Sequence, residues 1–569
     1  MFPGRLPLYF LSLSLGIDQT PRIGQDHRAS WIAFGLIGAL IVAVYGHTLS
    51  GYFIGEDFAY ISLYANFPLT RWPGLFVQDW SQGIWGSPQP ELRPLLALSF
   101  MVDGLIWGGQ AFGYRAVNLV LHIICSCLVY AVALRLLRSS LLVAFAAAIL
   151  FAVHPCHVQP VVWITGRVDL LPTLFCLSSL LAFAHFRRRA EVKALTASYL
   201  FYLGAVFSKE YGLMLPLLIA AYDVTRPGSL SAPPESARAK WITAVSPYLG
   251  FLLVLVIYYV CRRNAFSPDL AAPGLPELQH LASQQIEYWR YLLPPLERMT
   301  EPGIGPWREA VPLWQFCSIA LGALLLMVLV VLALRLGRRQ AGPGTMPLMF
   351  CGPVWFVVTT LPLGVTYISE RHLYLASAGL CLFLAEVAGA IFDARRWRWC
   401  FPVLIVILAT VWTYETAAQI APWKRAGSIT KRARAEIGAL PETPPGTVLI
   451  LDFPTRYQNA WLFSWSSPFL LDHPFFQPAL HRHFVVLEAP DNYYRSDDWQ
   501  RKPDISRVSD AQADASFLIS YLPGDDRFET RRLDPARVQT VSRVLQVGWE
   551  IPAPPPSSSW EEFLAILKN

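Results

Sequence analysis

Runs of about twenty apolar residues, each closed by a short polar or basic stretch, recur from residue 31 to residue 418 and then stop. A helix rises about 1.5 Å per residue and a bilayer's hydrocarbon core is about 30 Å thick, so runs of this length predict membrane-spanning helices. Eleven are read, near 31–49, 112–134, 141–158, 168–186, 195–208, 211–223, 242–260, 312–334, 346–366, 373–392 and 400–418. The fifth and sixth are short enough to form a re-entrant pair instead. An earlier apolar stretch, 6–17, is too short to span and reads as an interfacial segment or a vestigial signal. Beyond 418 the pattern turns to short β-type runs, 447–451 and 484–487, between polar and proline-containing stretches. The expected fold is a polytopic α-helical membrane protein of about 11 transmembrane helices with a C-terminal soluble α/β or α+β domain. The expected divisions are a cytoplasmic or interfacial segment 1–30, a transmembrane domain 31–418 with an outer loop at 50–111, and a soluble extracytoplasmic domain 419–569.

Composition sharpens this division. The 569 residues are 54% hydrophobic and 15% charged, whereas a soluble domain carries roughly 25% charged residues. Residues 419–569 hold 35 of the 86 charged side chains, about 23% of that segment against about 12% before it. The net charge of +6 sits in short loops, which argues against a nucleic-acid partner. All nine cysteines lie between Cys125 and Cys400, scattered through apolar runs without a CxxC or zinc-type spacing, and read as small buried residues. Arginines and lysines gather in every second loop, near 135–138, 187–193, 238–240, 335–339 and 395–398. The positive-inside rule puts those loops and the N-terminus in the cytoplasm and, with an odd number of spans, the tail outside.

The outer loops then hold the suggestive chemistry. Glu56 and Asp57 follow the first span, where a carboxylate could take a proton from an acceptor hydroxyl; a plain solvated loop is the alternative. Tryptophans and prolines crowd 66–92 as an interfacial loop would, and Arg93 ends it as a phosphate fork or an interface cap. His154 and His157 are three apart, but Pro155 and Pro160 disfavour the regular helix a shared metal would need, so a phosphate or sugar contact is preferred and no metal ligand is assigned. Arg167 and Asp169 could pair locally or bind ligand. Lys209 and Glu210 interrupt apolar sequence and, as neighbours on a helix, do not face each other, which points to a long-range partner such as a phosphate for Lys209. Glu370, Arg371, His372 and Tyr374 open the tenth span from outside, where a helix N-terminus with an arginine would hold an anion; Arg371 pairing with Glu370 is the alternative.

Taken in order, the acidic pair at 56–57, RPL (93–95) with LSF (98–100), FGYRAVNLVLH (112–122), HPCHVQPVVWITGRVDLL (154–171), SKEYGLMLPLLIAAYD (208–223) and SERHLYLASAGLCLFLA (369–385) resemble the membrane half of GT-C glycosyltransferases. The likeness is nearest to the tetratricopeptide-associated, protein O-mannosyltransferase-like branch and spans roughly residues 50–390. The helical repeats that branch carries after its membrane domain are absent here, so a protein acceptor does not follow from the resemblance. What it implies is a GT-C-like fold, a polyprenyl-phosphate-linked sugar donor and an outward-facing site, with Asp57 matching the branch's acidic residue in the first loop. On this scheme Asp57, helped by Glu56, is the base of a single inverting displacement. Arg93, Lys209 and Arg371 with the histidines steady the leaving phosphate. No cofactor is required, although a divalent metal bridging Glu56 or Asp57 to phosphate would fit the scheme. The partners expected are the lipid-linked sugar, an acceptor glycan, lipid or protein, and the bilayer itself, with a bacterial inner membrane as the setting. A transporter or flippase of lipid-linked sugars, or a non-catalytic scaffold, would show a similar hydropathy pattern. A transporter would place its charged groups along a path through the bilayer.

Overall fold

The computed structural model describes residues 24–84, 89–225, 237–266, 351–360, 369–392, 398–442, most of 447–488 and 516–533, and isolated positions between 285 and 292. Thirteen α-helices are described among these residues: α1 (Gly24–Tyr45), α2 (Asp57–Ala65), α3 (Pro94–Trp107), α4 (Ala111–Ala131), α5 (Leu141–Ala152), α6 (Val158–Val162), α7 (Arg167–Arg189), α8 (Val192–Val206), α9 (Leu215–Thr225), α10 (Ala237–Ala265), α11 (Cys351–Thr360), α12 (Tyr374–Ile391) and α13 (Cys400–Gly438). Among the described residues, six helical stretches are long and apolar enough to cross a membrane: Arg28–Ser50, Ala111–Leu136, Arg167–Arg189, Val245–Ala265, Glu370–Ile391 and Cys400–Gly438. Each coincides with a span read from the hydropathy pattern. A seventh arises if the pair Leu141–Ala152 and Pro155–Val162, bent by 55°, counts as one span. Apolar side chains such as Trp31, Leu36, Leu252, Val256, Val406 and Ile407 stand exposed on these helices, as lipid-facing residues do. The chain is a mostly helical integral membrane protein with a small sheet toward its C-terminus.

The fifth and sixth expected spans are the short helices α8 and α9, interrupted at Phe207–Met214 by a non-helical stretch and a 3₁₀ turn, Glu210–Met214. The stretch 6–17 and the span 312–334 lie outside the described residues, and 346–366 is described only as α11. The outer loop expected at 50–111 contains two helices, α2 and α3. The second is apolar but only 14 residues long, so hydropathy alone left it in a loop.

The chain divides into two compact units. The first comprises Met1–His47, Val117–Val162 and Gly166–Gln419. Its centre is the antiparallel pair α7–α8, where Ser179 Oγ donates to the Ser198 carbonyl at 2.7 Å and Ser198 Oγ donates to the Ser179 carbonyl at 2.9 Å. Small residues let such helices approach closely: a Cβ on Gly204 would lie 2.9 Å from the Phe175 ring. Helix α12 packs on α5 and α11.

The second unit comprises Thr48–Ala116, Trp163–Thr165 and Ile420–Asn569. Its sheet has the order β4 (Phe484–Glu488), β1 (Thr447–Asp452), β5 (Phe517–Leu522), β6 (Arg527–Arg532), with β1 parallel to both neighbours and β6 antiparallel to β5. The short ribbon β2 (Arg456–Tyr457) and β3 (Ala460–Trp461) follows β1. The segment 48–116 packs with this tail. Phe58 stacks on Phe463 at 5.6 Å between ring centres, and Phe53 meets Phe475 edge-on at 5.0 Å. The Gly55 amide donates to the Leu462 carbonyl, and Thr430 Oγ1 donates to the Phe53 carbonyl at 2.7 Å. In this division residues 48–116 belong with the C-terminal residues.

Candidate functional site

In the second unit, the acidic pair is built on a turn that only glycine tolerates. Gly55 has φ +55°, and a Cβ there would lie 3.0 Å from Trp461 Cβ. The turn delivers Glu56 to the N-cap position of α2 and Asp57 to its first turn, where the helix dipole favours a negative charge. Glu56 is half-buried, whereas Asp57 is wholly enclosed. Asp57 Oδ1 accepts from the Thr165 amide at 3.0 Å and from Thr165 Oγ1 at 2.8 Å, and Oδ2 accepts from the Ile54 amide at 3.1 Å. Burial raises its pKa to about 6, against the lowering pull of the Arg115 guanidinium and these three donors. Arg115 in turn donates to the Tyr52 carbonyl, and Trp163 Nε1 donates to the Ile54 carbonyl at 3.2 Å.

Arg93, expected as a phosphate ligand, pairs with Glu91 at 2.9 Å, its guanidinium 5.6 Å from the Trp80 ring centre. Trp80 stacks on Tyr60 and donates through Nε1 to the same Glu91 carboxylate. The crowded tryptophans thus serve partly as packing. Asp79, not singled out from sequence, ties this loop by accepting from Ser81 and from the Gln89 amide; burial raises its pKa.

In the first unit, Lys209 forms a buried ion pair with Asp169 Oδ1. The long-range partner of Lys209 is thus a carboxylate forty residues earlier, Asp169. Tyr211 donates its hydroxyl to the Asp169 carbonyl at 2.8 Å, and Thr173 Oγ1 donates to the same carbonyl. Arg167, fully buried, donates from Nε to Asn118 Oδ1 at 2.9 Å. Glu210 opens the 3₁₀ turn after Lys209 and is half-buried. Glu370, Arg371 and His372 lie on a second 3₁₀ turn, Glu370–Leu373, packed against α6 and the turn Pro155–His157. Ser369 Oγ donates to Gln159 Oε1 there at 3.2 Å. Arg371 and His372 are buried and Glu370 half-buried.

Three expected ligand contacts are occupied by the protein itself. Tyr374 donates to His122 Nδ1 at 2.7 Å, His154 Nε2 lies 3.1 Å from the Leu292 carbonyl, and His157 Nε2 lies 2.7 Å from Ser377 Oγ. One ring nitrogen from each of His154 and His157, with the Cys156 sulfur, lies within 4.8 Å of the others.

Thr165, Asn118, His122 and Arg115 were missed from sequence. A signal existed for three of them: Arg115, Asn118 and His122 fall at i, i+3 and i+7, a polar stripe on an otherwise apolar span.

No protein-family model matches the chain. Among curated proteins it is 25% identical over 410 residues to Protein O-mannosyl-transferase F38B6.6 of Caenorhabditis elegans, which covers 68% of this chain and 55% of that protein. It is 34% identical over 258 residues to Protein O-mannosyl-transferase Tmtc1 of Drosophila melanogaster, covering 40% of this chain and 28% of that protein. For Protein O-mannosyl-transferase TMTC1 of Homo sapiens the figures are 32% over 192 residues, 32% of this chain and 21% of that protein. Among solved structures, the archaeal oligosaccharyltransferase AglB from Archaeoglobus fulgidus, in complex with an inhibitory peptide and a dolichol-phosphate, aligns at TM-score 0.45 and 14% identity, covering 88% of this chain and 74% of that one.

The chain is similar to these curated protein O-mannosyl-transferases and spans about half or less of their length.

Proposed function

We propose that this protein is a membrane glycosyltransferase that moves a sugar from a polyprenyl-phosphate-linked donor to an acceptor hydroxyl on the outer face of a bacterial inner membrane, with inversion at the anomeric carbon. The observation that carries the reading is Asp57. It stands in the acidic pair that the resemblance marks, within a turn built to hold it, and burial brings its pKa to about 6, a useful value for a base at neutral pH. In this scheme Asp57 accepts the hydroxyl proton, with half-buried Glu56 beside it at the start of α2. Positive charge steadies the leaving phosphate, an electrostatic contribution that often dominates such reactions. Lys209 acts through Asp169, setting the first turn of α7 rather than gripping phosphate. No metal is needed for the displacement. A donor that arrives on a lipid fits a site outside the cytoplasm, where nucleotide sugars are not expected.

The test is consumption of donor. Purified chain in detergent is given a panel of polyprenyl-phosphate sugars, and release of the free lipid phosphate is followed with and without acceptor alcohols. Turnover of one donor class supports the reading. Intact donors across the panel, with uptake into proteoliposomes instead, would replace it with transport.

A further inference from the structure

We propose that His154, Cys156 and His157 form a buried binding site for a single thiophilic d¹⁰ cation, Zn²⁺ or Cu⁺. The two prolines do prevent a regular α-helix here, as the sequence indicates. They leave a 3₁₀ turn, Pro155–His157, with His154 as its cap, and a 3₁₀ turn sets residues i and i+3 above one another. The three side chains are buried, and their ligand atoms lie within 4.8 Å of one another.

Hydrogen bonding indicates a tautomer in which each ring keeps one nitrogen for a ligand. A carbonyl only accepts, so His154 must carry its proton on Nε2, facing the Leu292 carbonyl at 3.1 Å. Its Nδ1 lone pair meets only the Cys156 amide, at 3.3 Å. Where Ser377 Oγ donates its one proton to the Tyr374 carbonyl at 2.9 Å, it accepts from His157 Nε2–H at 2.7 Å. In that tautomer His157 Nδ1 offers a lone pair, buried and with no geometric hydrogen-bond partner among the described residues, beside the backbone carbonyl of Phe151. A buried acceptor left unmatched is costly, and a cation would satisfy it. The pattern in which each imidazole donates its far N–H to a carbonyl or hydroxyl is the outer-shell arrangement that metal-binding histidines show.

The donor set selects the ion. Two imidazoles and a thiol suit Zn²⁺ or Cu⁺ and not the oxygen-seeking Mg²⁺ or Ca²⁺. Binding exchanges the thiol proton for the metal: the S–H bond breaks, the S–metal bond forms, and the proton leaves to solvent. The thiolate then balances Cu⁺ fully and Zn²⁺ by half, which keeps the charge brought into an apolar interior small. The ion would brace the 55° bend between α5 and α6, and the chain continues from that bend to Arg167. This site takes no part in the proposed sugar transfer and stands or falls separately from it.

The full-length chain is purified in detergent, stripped with chelator, and exposed to Zn²⁺ alone or to Cu⁺ alone delivered from a colorimetric chelator. About one equivalent of one ion should be retained, and X-ray absorption should show one sulfur near about 2.3 Å and nitrogens near about 2.0 Å for zinc. Cys156→Ser and His157→Asn should each cut retention by about tenfold or more while eluting as the same monodisperse species. If folded wild-type chain retains neither ion, or if Cys156→Ser retains as much as wild type, the site is refuted. The wild-type arm decides the matter even where a variant fails to fold.

Discussion

Asp57 is a carboxylate held at three points inside a closed turn, and that geometry has consequences that can be measured one side chain at a time. Its pKa of about 6 lies above the ordinary 3.8, so the native state binds this proton more tightly than the unfolded chain does. Its contribution to stability is whole below about pH 4 and is lost as pH rises through 6, about 3 kcal/mol in all. Denaturation of the detergent-solubilised protein between pH 4 and 7 should show this loss, and Asp57→Asn should flatten the curve; an unchanged slope in the variant would assign the effect elsewhere. A base must be ionised to act, so turnover should rise with pH through about 6 and then level off. Thr165→Val keeps the amide that reaches Oδ1 and removes the hydroxyl. Losing that bond should cost about 1–3 kcal/mol and shift the rising limb of the pH–rate profile upward, because this hydroxyl lowers the carboxyl pKa. A profile that stays in place would mean Thr165 only packs. The acidic pair itself was legible in the sequence, from its position at the exit of the first span. Thr165 was not, because its partnership with Asp57 spans 108 residues and nothing local announces it.

Between elements, the ion pair of Lys209 with Asp169 joins the start of the Glu210–Met214 turn to the first turn of α7. Both partners are buried. Lys209→Met would leave a buried carboxylate without its counter-charge, a loss of about 3–5 kcal/mol, whereas a Lys209→Met, Asp169→Leu double variant should recover most of it. Equal destabilisation of single and double variants would show that the charges do not act as a pair. The elements themselves were read well where they were long. All six spanning helices of the described residues follow apolar runs of about twenty residues. Reading faltered where a helix was short or broken. The expected span 141–158 bends at 153–155, since Pro155 cannot continue α5, and α3 has too few residues to register as a span. Arg371 illustrates a different limit: it lies just before α12, where the sequence puts it, but its burial on a 3₁₀ turn against α6 depends on a contact with a segment some 210 residues away.

At the scale of the whole chain, the tail and residues 48–116 form one body. Strands at 447–451 and 484–487 were visible as short β-type runs and pair in parallel, but the packing of Phe463 and Phe475 on Phe58 and Phe53 is long-range and no local pattern encodes it. Truncation after Gly438 would strip Phe463 and Phe475 from Phe58 and Phe53. Limited proteolysis within 66–78 should then accelerate relative to full-length chain, and identical cleavage rates would show that the loop holds its shape alone. Relatedness to protein O-mannosyl-transferases covers part of those proteins, so sugar transfer must be tested on this chain directly. The most direct measurement is single-turnover release of polyprenyl phosphate from its sugar-linked form by wild type and Asp57→Asn at pH 7.5. The account predicts release by wild type and a loss of about 10²–10⁴-fold in the variant with the fold retained. An Asp57→Asn protein that releases the lipid at the wild-type rate would contradict it.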